Sequence, residues 1–212
     1  MSTPLTLKQQ QAHLDEMRAR LGATHPETLA AMLELAEMMW ARGRLDNGRA
    51  LEEFVVAERR QALGEEHGDT LKAIGKLATT IGAQGELDEA RRLQEHIVDL
   101  APQVWGEKAR DTLRARNNLA GTLATQGDLL GACSLLQRLI EALRREFGEE
   151  DDDTLAAMGN LAAILWQGGD HHEAYWLQYQ VVEIRRRSVG DDDPKTQAAQ
   201  GAFEAMQRQD GI

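Results

Sequence analysis

The sequence predicts an all-α protein built from repeated antiparallel helix pairs. Three observations predict it. A 42-residue register runs uninterrupted through the chain: Thr28, Thr70, Thr112, Thr154 and Thr196 keep it, as do Gly22, Gly64, Gly106, Gly148 and Gly190. Glycine recurs at a second fixed point, Gly43, Gly85, Gly127 and Gly169, which splits each repeat in two. The stretches between are rich in Ala, Leu, Glu, Gln and Arg, which favour helix, and poor in the β-branched and aromatic residues a sheet needs. A fixed period of this length marks a repeat architecture.

Each repeat reads as a helix A followed by a helix B. In the first full unit, helix A runs from about Pro26 to Arg42, with Leu29, Met32, Leu35, Ala36 and Met39 on one face at helical spacing. Gly43 stops it, since glycine adopts the left-handed conformation that ends a helix. Helix B runs from about Leu45 to Leu63, with Leu51, Val55, Val56 and Leu63 inward, and Gly64 ends it. The same columns recur as Leu77-Ala78, Leu119-Ala120 and Leu161-Ala162 on helix A, and as Leu93, Leu135 and Leu177 on helix B.

The punctuation agrees with this reading. Glu27, Asp69, Asp111, Asp153 and Asp193 stand at the helix A N-termini, where negative charge is favoured. Arg59, Arg60, Arg144, Arg145 and Arg185 to Arg187 stand near helix B C-termini, where cations are favoured. Pro26 and Pro194 suit a first helical turn. The full units span about 26–63, 68–105, 110–147 and 152–189. Residues 6–21 match a lone helix B, with Leu14, Met17 and Leu21 inward. Residues 194–208 match a lone helix A, with Phe203 in the leucine column. The expectation is ten helices in a single solenoid over 1–212, its end half units acting as caps.

The columns Leu119-Ala120, Leu123, Gly127, Ala132, Leu135 and Leu139 resemble tetratricopeptide repeats. Ala120 and Ala132 let helices A and B pack closely; Ala90 and Ala174 keep the second position, and Gly48 replaces it in the first unit. The common repeat of that family has about 34 residues. The longer helix B here, a loop such as Leu21-Gly22-Ala23-Thr24-His25-Pro26-Glu27-Thr28-Leu29, and the stretch Asn117-Asn118-Leu119-Ala120 resemble the 42-residue kinesin light chain-like subtype. A HEAT or armadillo array shares the period, but a glycine between the helices followed five residues later by a small residue favours the tetratricopeptide reading. The resemblance implies a right-handed solenoid whose A helices line a concave, peptide-binding face. Nothing in the chain resembles the coiled-coil or motor-associated parts of a kinesin light chain.

Composition narrows the function. The 212 residues carry a formal net charge of −11, which argues against a duplex nucleic-acid binder and against broad contact with an anionic membrane. One cysteine, Cys133, excludes an internal disulfide. With no apolar leader after Met1 and no apolar run of ~18 residues, the sequence reads as cytoplasmic. His25 and His67 share one loop column with Ala109, Asp151 and Asp193, which is a structural pattern. His171 and His172 are adjacent and point about 100° apart on a helix, a poor start for a zinc site needing about four ligands. Cys133 has no Cys-x-x-Cys partner, and no phosphate-binding glycine loop is present. The expectation is no catalytic residue, no metal and no cofactor.

Helical spacing predicts which helix A residues face away from the core. The columns are Ala30, Lys72, Arg114 and Ala156; then Glu34, Lys76, Asn118 and Asn160; then Glu37, Thr79, Gly121 and Ala163; then Ala41, Ala83, Thr125 and Gln167. Leu33, Gly75, Asn117, Gly159, Trp40, Gly82, Ala124 and Trp166 flank them. Lys72, Lys76 and Arg114 concentrate positive charge on this face, and Asn117, Asn118 and Asn160 offer both donors and acceptors to an extended backbone. Trp40 and Trp166 suit aromatic anchoring, and Gln167 closes the set. Arg116 stands in a column otherwise filled by Met32, Ile74 and Met158, and needs a partner or an outward path. The function expected is a non-catalytic scaffold holding a protein or peptide, specifically an extended acidic segment. The alternatives are an accessory or regulatory subunit of an enzyme in another chain, and a module self-assembling through its end helices at Leu14 and Met17 or Phe203 and Met206.

Overall fold

A computed structural model describes residues 6–210; the expectation of no leader after Met1 falls outside them. Among the described residues there are ten helices and no strand. They are α1 (Leu7–Leu21), α2 (Pro26–Trp40), α3 (Leu45–Leu63), α4 (Gly68–Ala83), α5 (Leu87–Val104), α6 (Arg110–Thr125), α7 (Leu129–Phe147), α8 (Asp152–Gln167), α9 (His171–Val189) and α10 (Pro194–Asp210). Even-numbered helices are the A helices and odd-numbered ones the B helices. The first helix A ends at Trp40, two residues short of the Arg42 expected. The last helix reaches Asp210.

The glycine columns explain the helix ends. Nine residues have positive φ among those described, and they are the nine repeat glycines, from Gly43 at +72° to Gly106 at +98°. A side chain there would clash with its own backbone, so only glycine turns the chain this tightly. The threonine column answers the glycine column: Thr112 Oγ1 donates to Gly106 O at 2.7 Å and Thr154 Oγ1 to Gly148 O at 2.9 Å. The alternating loop residues cap the A helices. His25 Nδ1 accepts from Glu27 N, His67 Nδ1 from Asp69 N, Asp151 from Asp153 N and Asp193 from Lys195 N, at 2.9–3.3 Å. Ala109 holds the same extended conformation but has no side-chain acceptor to offer.

The helices gather into two compact units, Met1–Trp105 and Gly106–Ile212. In the first, α1 to α5 pack each on the next in chain order. Its core is Leu14, Met32, Leu35, Val55, Leu71 and Ile74, all essentially without exposure. In the second, α6 to α10 do the same, around Leu113, Leu136, Leu139, Leu155 and Met158. The small-residue columns sit where helices A and B approach most closely. Ala36, Ala78, Ala120 and Ala162 are fully buried, as are Ala90, Ala132 and Ala174. At Gly48 an added Cβ would lie 3.2 Å from Ala36 O, a tight contact between α2 and α3.

Three expectations about the core need correction. Leu63, expected inward, is 46% exposed at the end of α3. The column of Leu51, Leu93, Leu135 and Leu177 is half-buried, and the next position carries the deeper load: Gln10, Glu52, Gln94, Leu136 and Gln178 are all buried. The end-helix residues named for self-assembly, Leu14, Met17, Phe203 and Met206, are buried within the chain and are not an outward surface. Phe203 packs against Tyr175 and Tyr179 of α9. On α10 the outward positions are polar: Gln197, Gln200 and Glu204 replace the Leu155, Met158 and Ala162 of the preceding helix A.

Candidate functional site

The A helices present the face that helical spacing predicts. All sixteen residues of its four columns, from Ala30 to Gln167, are exposed. Opposite them, the buried Leu, Met, Ile and Ala positions pull each helix against its neighbours, which fixes the rotation of the helix and thus the face it shows. The charges on this face, however, are already engaged.

In the first unit, Lys76 Nζ lies 2.9 Å from Glu37 Oε2, bridging α4 to α2. Beneath it on α3 is Glu52, 3% exposed, whose carboxyl is hydrogen-bonded to Thr80. Burial pushes its pKa above the ordinary carboxylate value; Thr80 and the Lys76 ammonium oppose that rise. Glu52 Oε2 is buried without a hydrogen-bond partner among the described residues. Glu34 is held from below by Gln10 Nε2 at 2.9 Å. Lys72 Nζ stands 5.8 Å from the Trp105 ring centroid, a cation–π distance. Trp40 is 45% exposed. Glu34, Glu37, Lys72 and Lys76 together leave the face with balanced charge.

In the second unit, Asn160 Nδ2 donates to Asn117 Oδ1 at 3.1 Å, joining α8 to α6. Asn118 is exposed, as are the small residues Gly121, Ala156 and Ala163 of the same face. Arg114 Nε lies 2.9 Å from Asp153 Oδ1. Arg110 adds a fork, 2.9 Å from Asp151 and 2.5 Å from Asp153, while its guanidinium covers the Phe147 ring at 4.1 Å. The Arg110 guanidinium holds the Asp151 carboxyl below the usual range. Trp166 is not a free anchor: its indole Nε1 donates to Gln209 at 2.8 Å and its ring stacks on His171 at 4.2 Å. Gln167 is exposed at the end of α8. Arg116 is accounted for: it pairs with Glu107 at 2.5 Å and keeps part of its side chain in solvent.

Sequence reasoning missed the acids that pair with the cations, and it missed the buried polar column beneath them. A signal was present. Gln10, Glu52, Gln94 and Gln178 repeat every 42 residues (or a multiple of it) on a face otherwise apolar. The columns at 68 and 105 were also legible as a pair: Gly68 has no side chain because the Trp105 indole Nε1 would sit 2.6 Å from its Cβ, whereas Arg110 and Phe147 stack in the same two columns. Burial raises the pKa of Cys133, with Glu173 adding to the rise, so its thiol stays protonated at neutral pH. Among the described residues, no group of three or more His, Cys, Asp or Glu is arranged to hold a metal, and no helix is long and apolar enough to cross a membrane.

The tetratricopeptide repeat family model matches residues 27–103 and 111–187, most of the chain. The chain belongs to the tetratricopeptide repeat family. A Podosopora anserina chain of nearly identical tetratricopeptide-like repeats, assigned to the kinesin light chains, is 26% identical over 86% of each chain, with a TM-score of 0.68 in its Q17M form. BtubC (BKLC) from P. vanneervenii is 19% identical over 98% of this chain and 85% of that one, with a TM-score of 0.76. A Rap protein complexed with Competence and Sporulation Factor is 12% identical over 95% of this chain and 54% of its own, also with a TM-score of 0.76. At these lower identities the likeness is one of fold. A search of curated proteins found no match. The tetratricopeptide repeats here are of the kinesin light chain-like type, as their 42-residue period indicates.

Proposed function

We propose that this tetratricopeptide repeat protein is a non-catalytic scaffold that holds a protein or peptide segment on the exposed face of its A helices. The observation that carries the reading is the second-unit face: an Asn117–Asn160 pair spanning two A helices, Asn118 exposed beside it, and small residues leaving room for a backbone. Asparagine amides both donate and accept, which matches the alternating groups of an extended chain. A solved structure of this fold, the Rap protein, is itself in complex with Competence and Sporulation Factor.

The preferred segment is acidic. Each unit offers its own cations for such a segment: Lys72 and Lys76 on the first, Arg114 on the second. The Lys76–Glu37 pair is solvent-exposed, and such pairs contribute only about 0–1 kcal/mol. A ligand carboxylate exchanges for Glu37 at small cost, and charge-assisted hydrogen bonds are among the stronger ones. Trp40 offers an apolar contact in the first unit; in the second, Gln167 offers an exposed amide and the engaged Trp166 a half-buried ring.

Selection of a displayed peptide library against the purified protein tests this. The expected outcome is enrichment of acidic sequences that are released by salt, because exposed charges are screened. Lys72→Glu with Arg114→Glu should abolish the enrichment, and Arg18→Glu with Arg138→Glu, exposed on B helices, should leave it intact. Equal loss from both pairs would reduce the effect to net charge. Undiminished enrichment with the Lys72 and Arg114 variant would place the site elsewhere.

A further inference from the structure

On α9 the outer face changes character. The column that holds Ala50, Arg92 and Ser134 in the earlier units holds Trp176 here, and the column of Glu53, Glu95 and Gln137 holds Tyr179. Tyr179 also edges Phe203 of α10, with centroids 5.9 Å apart, but helix pairing does not require Trp176, since alanine, arginine or serine fills its column elsewhere. Trp176 is 56% exposed and Tyr179 39% exposed, their rings stacked with centroids 5.9 Å apart. With Gln180, Glu183, Ile184 and Arg187 they line a shallow depression of about 320 Å³. Exposed aromatics beside an arginine are the composition in which binding energy concentrates.

The chemistry of this face is complementary to itself. Its spacing reads the same in both directions about a point between Val181 and Val182. A second helix of the same sequence, laid antiparallel across that point, sets Trp176 against Arg187, Tyr179 against Ile184, and Gln180 against Glu183, each contact twice. The outer pairs are a guanidinium on an indole face and an amide donor on a carboxylate; Ile184, 7% exposed, only floors the depression beneath Tyr179. A parallel arrangement would set Glu183 against Glu183 and Arg187 against Arg187, which repel. Within its own helix Glu183 pairs with Arg186 at 2.6 Å, and Arg187 Nε donates to Glu183 O at 3.2 Å. The other Glu183 oxygen and the terminal nitrogens of Arg187 remain for the partner. We propose that this face of α9 is a homodimer contact, with a second copy of the chain as its occupant, related by a two-fold axis. An isologous contact of this kind uses one patch on both subunits. It lies on B-helix surface and is independent of the A-helix face. One helix crossing buries less than the ~1,200 Å² typical of tight complexes, so association in the micromolar range is expected.

Sedimentation velocity of the full chain, from low to several hundred micromolar, is the test. The expected result is a rise from monomer to dimer mass that stops at two. Trp176→Ala with Tyr179→Glu should remain monomeric with an unchanged helical signal, because α3 carries those residue types in the same columns. Leu130→Ser, at an 87% exposed leucine on α7, should dimerise like the parent. As a second readout independent of that variant's folding, Gln180→Cys in a Cys133→Ser background should cross-link to itself under mild oxidation, and Leu130→Cys in the same background should not. A monomer at all concentrations would overturn the proposal. So would dimerisation that survives loss of both aromatics, growth beyond the dimer, or equal cross-linking at position 130.

Discussion

At the scale of single residues, the repeat makes each departure interpretable, because four sister positions show what the fold asks for. Glu52 is the clearest case. Its column holds glutamine at Gln10, Gln94 and Gln178, and burial raises its pKa. A carboxyl with a raised native pKa costs nothing below the unfolded value. The cost develops as pH climbs from the unfolded to the folded pKa, and it is full above the latter. Glu52→Gln should therefore stabilise the protein by roughly 1–2 kcal/mol at pH 7. The gain should shrink toward zero near pH 4, as thermal melts across that range would show. No gain at neutral pH would mean that Lys76 compensates the buried charge fully. The same column logic would have located this acid from sequence, but it could not say that Lys76 lies above it, since that depends on how α4 seats on α3.

At the scale of elements, helix limits were legible almost to the residue, because they are set locally. Glycine at positive φ ends the helices, and a histidine or aspartate acceptor begins helix A. The capping role of His25 and His67 follows from their sharing a column with Asp151 and Asp193, and each accepts from the amide two residues on. Ala109 breaks the rule while keeping the extended geometry of a cap, at φ −66° and ψ 144°. Ala109→Asp should supply the missing acceptor to the α6 N-terminus and place negative charge where the helix dipole favours it. A gain of about 0.5–2 kcal/mol is expected, read as an increase in melting temperature. An unchanged or lower melting temperature would show that the first turn of α6 is satisfied by solvent. Where the element reading failed, at Leu63 and the Leu51 column, the cause was tertiary: periodicity gives the apolar stripe, and the neighbouring helix decides which edge of it is covered.

At the scale of the whole molecule, the two compact units differ in their electrostatics. The first holds a buried acid with a raised pKa, whereas the second is tied together by acids with lowered ones. The Asp151 carboxyl is held down by Arg110, and that of Asp152 by Lys195 and Arg185. A depressed carboxylate contributes stability that is present above its unfolded pKa and is lost as pH falls through the folded one. Below about pH 4, amide protection in α6 to α9 should therefore fail before protection in α2 to α4, where protonation of Glu52 removes a strain. Hydrogen exchange read by mass spectrometry on acidification would show this order, and the reverse order would refute the assignment. What the sequence by itself determined is the architecture: ten helices, their limits, the small-residue contacts and the outward columns. Each follows from a local rule repeated at fixed spacing, so four copies vote on every position. Only the tertiary structure decided which charges are free. Lys76 finds Glu37 39 residues away, Arg114 finds Asp153 at the same separation, and Glu52 is sealed beneath the first of these pairs. Such pairings depend on the seating of one helix upon another, a distance that periodicity does not encode.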